Sequence, residues 1–188
     1  MAKRTILTAS TLLTLILAGG CGQPSEYDRV VQRELSSGAV YDSLFLSYRL
    51  GMSRQAFYDS SWALNRRGVV MQGPRNENVQ FKLPEALPFE ATMLFYPDFH
   101  AGSVFQMRVG FSYDGWAPWA PRLSSDSLLV DVVHLLETWY GEGFFEVSEI
   151  GWVKVDGNRR IVVTKRSDME VTVVFTDLVR VRAMEDDE

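Results

Sequence analysis

The chain has few of the residues most often recruited for chemistry. Its 188 residues include one cysteine, Cys21, and two histidines, His100 and His134. A single thiol excludes a disulfide framework within the chain. Because Cys21 precedes everything that reads as folded, it also leaves the folded part without a thiol nucleophile or a cysteine-based zinc site. Positive charge is scarce as well. Nineteen Lys and Arg stand against 24 Asp and Glu, a net charge of −5. Counterion release therefore gives the chain no drive toward nucleic acid, and there is no basic surface to hold anionic lipid. HExxH, GxSxG and glycine-rich phosphate-loop motifs are missing, and no cofactor is expected. What is present, 46% hydrophobic and 23% charged residues, suits a globular fold able to bury a core.

The N-terminus carries an address. Lys3 and Arg4 precede an apolar run from Ile6 to Ala18. That run is too short to span a bilayer comfortably and has the charge and length of a secretory signal. The sequence that follows, Leu17-Ala18-Gly19-Gly20-Cys21, resembles the lipobox of bacterial lipoproteins. The resemblance implies cleavage before Cys21, a diacylglycerol thioether on its sulfur and an acylated amine, so that the membrane is a partner. One acyl chain anchors only marginally, at roughly 0.8 kcal/mol per buried CH₂, whereas two or more anchor stably. Gly22, where an Asp would retain such a protein at the inner membrane, implies the outer membrane. Loss of Lys3 and Arg4 with the signal takes the charge from −5 to −7. The expected organisation is a signal over 1–20, the lipidated cysteine and tether over 21–26, and a globular part over 27–184. A subdivision near residue 122 is left open, and an acidic tail covers 185–188. The stretch 22–26 reaches at most ~18 Å when extended, which keeps the folded part close to the lipid.

Within the globular part, Tyr27–Ser37 reads as a short helix stopped by Gly38, while Leu44–Leu50 is apolar without a clear period. Ser53 is a natural N-cap, with Met52 and Phe57 placed as a hydrophobic staple. Ala56, Phe57, Ser60, Ala63 and Leu64 form the stripe of a helix that Arg66, Arg67 and Gly68 close. Strands are expected over 69–72, 79–83, 91–96 and 103–113. In the last of these Phe105, Met107, Val109, Phe111 and Tyr113 alternate with polar residues. A second helix, Leu128–Tyr140, has a wide apolar face. A meander follows over 144–147, 152–155, 160–164, 169–175 and 178–183, with a hairpin signal at Asp156-Gly157-Asn158. The expected fold class is α+β: antiparallel sheet packed by helices, arranged in one unit or as two tandem helix-plus-sheet units.

Two groups of side chains are candidates for function. Tyr113, Trp116 and Trp119 lie in or beside the loop Asp114–Arg122. They read either as a platform for a partner protein or a sugar ring, or as a cover for the core edge. Asp131, His134 and Glu137 share one side of the second helix. They read as a metal or proton site, or as a solvated stripe. No residue is assigned a catalytic role. His100 sits in what reads as a hairpin loop.

The stretch Leu50-Gly51-Met52-Ser53-Arg54-Gln55-Ala56-Phe57, followed by strands, resembles the helix opening of small outer-membrane assembly lipoproteins of the SmpA/BamE type. The element order is similar to the β-lactamase-inhibitor-protein fold, and the wider chain resembles lipoproteins of the Bacteroidetes type. These resemblances imply an interaction module, not an active site. The leading expectation is therefore a membrane-anchored, non-enzymatic module that binds envelope proteins. Glycan or lipid binding is the alternative, and a hydrolase is the least favoured reading.

Overall fold

A computed structural model describes residues 24–186, apart from Pro84 and Trp116. The elements run α1 (Glu26–Ser36), α2 (Arg54–Arg66), β1 (Met71–Gln72), β2 (Val79–Leu83), β3 (Ala91–His100), β4 (Ser103–Tyr113), α3 (Ser125–Tyr140), β5 (Phe145–Val147), β6 (Gly151–Asp156), β7 (Arg159–Lys165), β8 (Val171–Asp177) and α4 (Leu178–Asp186). The strands form one antiparallel sheet in the order β1-β2-β3-β4-β8-β7-β6-β5. The fold is α+β. A helix followed by a four-strand meander occurs twice, and the final strand of each meander, β4 and β8, makes the central junction. The point near residue 122 falls between the two meanders, yet one sheet and one apolar cluster run across it.

Side-chain alternation assigns the two faces. Met107, Val109 and Phe111 on β4 lie opposite Phe175, Val173 and Val171 on β8. All six are buried, and Leu128, Val132 and Leu136 of α3 and Phe57 and Leu64 of α2 join the same cluster. The other face is closed locally. Val153, Val155 and Val162 on β6 and β7 pack with Tyr27, Val30, Val31 and Leu35 of α1. The apolar side of the first helix is thus used on a small core of its own.

Three expectations need correction. Residues 178–183 form the start of a helix rather than a strand. The alternation in Leu178–Ala183 is overridden by Asp177, a buried residue whose Oδ1 accepts the amides of Val179 and Arg180 at 3.2 and 3.3 Å. Its Oδ2 also pairs with Arg180. That is an N-cap, which satisfies donors a new helix leaves free. Second, β4 does not alternate without a break. Asp98 pairs with Gln106 and Phe99 with Val104, so Phe105 is an extra, bulged residue and Val104 takes the buried place. Third, β3 continues to His100, which pairs with Ser103 at an exposed hairpin end.

The unassigned apolar stretch becomes a strap of irregular chain over 39–52. Leu44, Phe45, Tyr48 and Leu50 drop from it into the main core. Phe45 meets Phe95 edge-on at 4.9 Å between centroids, and Tyr48 lies 5.2 Å from Phe57. One end is pinned at the turn between β6 and β7. Asn158 Oδ1 accepts the amide of Tyr41 at 2.7 Å, and the carbonyl of Asn158 accepts the amide of Leu178. Gly157, at φ +50°, approaches so closely that an added Cβ would stand 2.1 Å from the carbonyl oxygen of Ala39. Buried Arg159 completes the pin. It donates to the carbonyl of Ser43 at 2.7 Å and to Asp156 at 2.9 Å, and its guanidinium carbon lies 4.5 Å from the centre of the Tyr140 ring. Lys154, also buried, bridges Asp156 at 2.6 Å and donates to the carbonyl of Glu142.

Arg159→Met removes one of the two cations on Asp156, which keeps Lys154, and leaves the Ser43 carbonyl without its donor. We expect a loss of about 1–3 kcal/mol, the usual consequence of leaving a buried acceptor without its partner. Denaturant unfolding of the two proteins checks it; a loss below about 1 kcal/mol would show that the strap is not held there.

Candidate functional site

Helix α2 builds one wall of a surface groove. Ser53 Oγ accepts the amide of Ala56 at 3.1 Å, so the helix begins where the sequence places its cap. Phe57 and Leu64 point inward; Ala63 does not. One turn apart, Tyr58 and Trp62 stand on an outer flank, 43% and 65% exposed. Ser61 Oγ bonds the Tyr48 hydroxyl at 3.0 Å, which ties this helix to the strap.

The opposite wall is the β1–β2 hairpin. Its turn is held by the Gly73 amide donating to the Asn78 carbonyl at 2.8 Å. Arg75 and Asn76 both adopt the left-handed backbone, at φ 57° and 63°, a conformation uncommon outside glycine. Asn65 Nδ2 reaches across from α2 to the Val70 carbonyl at 3.1 Å. Between the walls lies a groove of about 490 Å³, a size common for ligand sites. Phe57, Val70 and Val79 contribute apolar surface to it. Met71, half exposed, and Tyr96 add to the apolar rim, and the hydroxyls of Tyr58 and Tyr96 share a hydrogen bond of 2.9 Å. That bond lowers the Tyr58 pKa and raises that of Tyr96.

No family model, curated protein or solved structure matches the chain. The site must be read from its own chemistry.

The residues singled out in the sequence lie elsewhere and do not converge. Tyr113 is only 5% exposed. Its hydroxyl donates to Asp131, and its ring meets Phe89 edge-on at 5.4 Å. It belongs to the core and is not available as a surface platform. Trp119 is the reverse, 85% exposed in its loop rather than folded back over the core. Trp116 and Cys21 lie outside the described residues. Asp131 and His134 line a second depression with Glu85 and Trp139, but Glu137 does not join them. Asp131 is engaged by Tyr113, and among the described residues no group of three or more His, Cys, Asp or Glu is placed to hold a metal ion. Trp139, near the end of the helix with the wide apolar face, is 37% exposed. Also among the described residues, no helix is long and apolar enough to cross a membrane.

Sequence reasoning missed the groove, although a signal was present. Tyr58 and Trp62 are large aromatics at i, i+4 spacing that fall outside the inward stripe of their helix. Such a pair needs a second surface to cover it.

Tyr113 and Tyr140 give a pH prediction. Burial, reinforced for Tyr113 by the Asp131 carboxylate, raises both phenol pKa values well above the ordinary one. The folded state thus holds these protons after the unfolded chain has released them at about pH 10. Their contribution to stability is complete below that pH and declines as pH rises toward the raised folded values. The melting temperature should fall above about pH 10, and less steeply in Tyr113→Phe/Tyr140→Phe. Identical alkaline slopes for the two proteins would contradict this.

Proposed function

We propose that this chain is a lipid-anchored envelope protein that acts as a non-enzymatic binding module, and that a partner protein docks in the groove between α2 and the β1–β2 hairpin. One observation carries the reading. Tyr58, Trp62, Met71 and Tyr96 line a single open groove while remaining a third to two thirds exposed. Isolated exposed apolar residues are ordinary, but a contiguous aromatic patch with a polar rim is characteristic of an interaction surface. Trp and Tyr are also the residues most enriched where binding energy concentrates.

The anchor supports the envelope assignment. Cys21 follows a short apolar signal and precedes α1 by only a few residues. With two or more acyl chains, the module would be held on the membrane without spanning it. Gly22 after the cysteine points to the outer membrane.

Growth with labelled palmitate should mark the wild-type protein and leave Cys21→Ser unlabelled; equal labelling would remove the anchor from the proposal. For the groove, a photo-reactive phenylalanine analogue in place of Tyr58 in the full-length protein should yield a discrete protein adduct in native membranes. The adduct should largely disappear in the Trp62→Ala background, a change at an exposed site expected to alter stability by only about 0.5 kcal/mol. Absence of a discrete adduct, or one indifferent to Trp62, would refute partner docking at this groove.

A further inference from the structure

From the side chains that line this groove, we infer that the docked partner presents an apolar side chain flanked by lysine or arginine, on an extended segment of protein; the inference rests on the groove being the docking site. The deep surface is apolar. Phe57 and Val70 line the groove although each is almost wholly buried, so the floor is the outer side of the main core. A group seated there must itself be apolar, because a hydroxyl or charge at that depth would lose its water without gaining a partner.

The rim has the opposite character. It carries two carboxylates, Asp59 and Glu77, and among the described residues no lysine or arginine lines the groove. Among the described residues neither carboxylate forms an ion pair; Asp59 accepts only Gln55 Nε2, at 2.9 Å. Arg54 of the same helix is turned onto the Phe99 ring at 4.1 Å and, although close enough to lower the Tyr58 pKa, is not a lining residue. Exposed Trp62 and Tyr58 rings beside uncompensated carboxylates form a favourable surface for a cation, by attraction to ring faces and by charge. The same carboxylates disfavour an anionic lipid headgroup or phosphate.

Of the remaining polar side chains, Ser61 and Asn65 are already bonded to the Tyr48 hydroxyl and the Val70 carbonyl, while Gln72, Asn76 and Asn78 are neutral donors and acceptors on the β1–β2 hairpin. They can serve the main chain of an extended peptide, as β1, the terminal strand of the sheet, can through its outer edge. An apolar anchor with a positive neighbour therefore satisfies floor, rim and edge together. A neutral glycan satisfies the rim alone.

The test is a selection of random peptides displayed on phage against the full-length lipoprotein in detergent, followed by affinity measurements with the enriched peptides. Enrichment of an aromatic or branched aliphatic residue next to Lys or Arg is expected. Affinity should fall about tenfold or more in Trp62→Ala, and severalfold in Asp59→Asn/Glu77→Gln. Added salt should weaken binding to the wild type and have less effect on the carboxylate variant. Enriched peptides that lack a basic residue, or that ignore the carboxylate changes while still needing Trp62, would overturn the inference and leave the groove as a docking site. Peptides indifferent to Trp62 would overturn both. Binding of maltohexaose or of peptidoglycan fragments that depends on Trp62, with no peptide enriched, would overturn the inference in favour of a glycan ligand.

Discussion

The arrangement depends on the anchorage of the strap, residues 39–52, at the turn between β6 and β7. Arg159 donates to the Ser43 carbonyl from a buried position, beside a glycine whose missing side chain lets the strap backbone touch the turn. Because the strap is fixed there, Leu44, Phe45, Tyr48 and Leu50 enter the core between the two meanders. Tyr48 then meets both Phe57 and Ser61 of α2. The position of α2, and with it one wall of the groove, is thus fixed from the strap through Tyr48, together with the backbone bonds that tie residues 51–54 to the β3–β4 hairpin. A buried arginine–carboxylate pair is a costly way to hold a backbone segment, since replacing both partners together by apolar residues of similar volume is often no less stable. Its directional bonds to one carbonyl and one carboxylate do, however, select a single placement of the strap.

The groove follows from how the first meander ends. β2 is paired with β3 only as far as Val79 and Phe95, while β3 runs on to His100. The sheet therefore steps back beside Tyr96, and α2 crosses above a floor that the sheet alone would not close. In the second unit α3 is longer and buries Leu128, Val132, Val133, Leu135 and Leu136. Two units with the same order of elements thus differ in what they leave uncovered. The first presents an aromatic rim, and the second a mostly closed core.

Much of the local structure was legible because it rests on short-range chemistry. The Ser53 cap, the wide apolar face of α3, the buried alternation from Met107 to Tyr113 and the turn after Asp156 each depend on residues within a few positions of one another. Misreadings arose where a distant partner decided. Leu178–Ala183 alternates like a strand, but it is helical because Asp177 caps it and pairs with Arg180. Tyr113 and Trp119 are near in sequence and were grouped, yet one faces α3 at the end of a central strand and the other stands in solvent on the loop beyond it.

By itself the sequence determined the class of fold, most of the helices and strands, and the scarcity of thiols and imidazoles, since composition and periodicity act locally and need no partner. Whether an aromatic side chain is covered is a property of the whole assembly. Tyr113 and Trp62 are both large apolar residues on regular elements. Only the placement of α3 against β4, and of α2 across the step beside Tyr96, buried the first and left the second facing water.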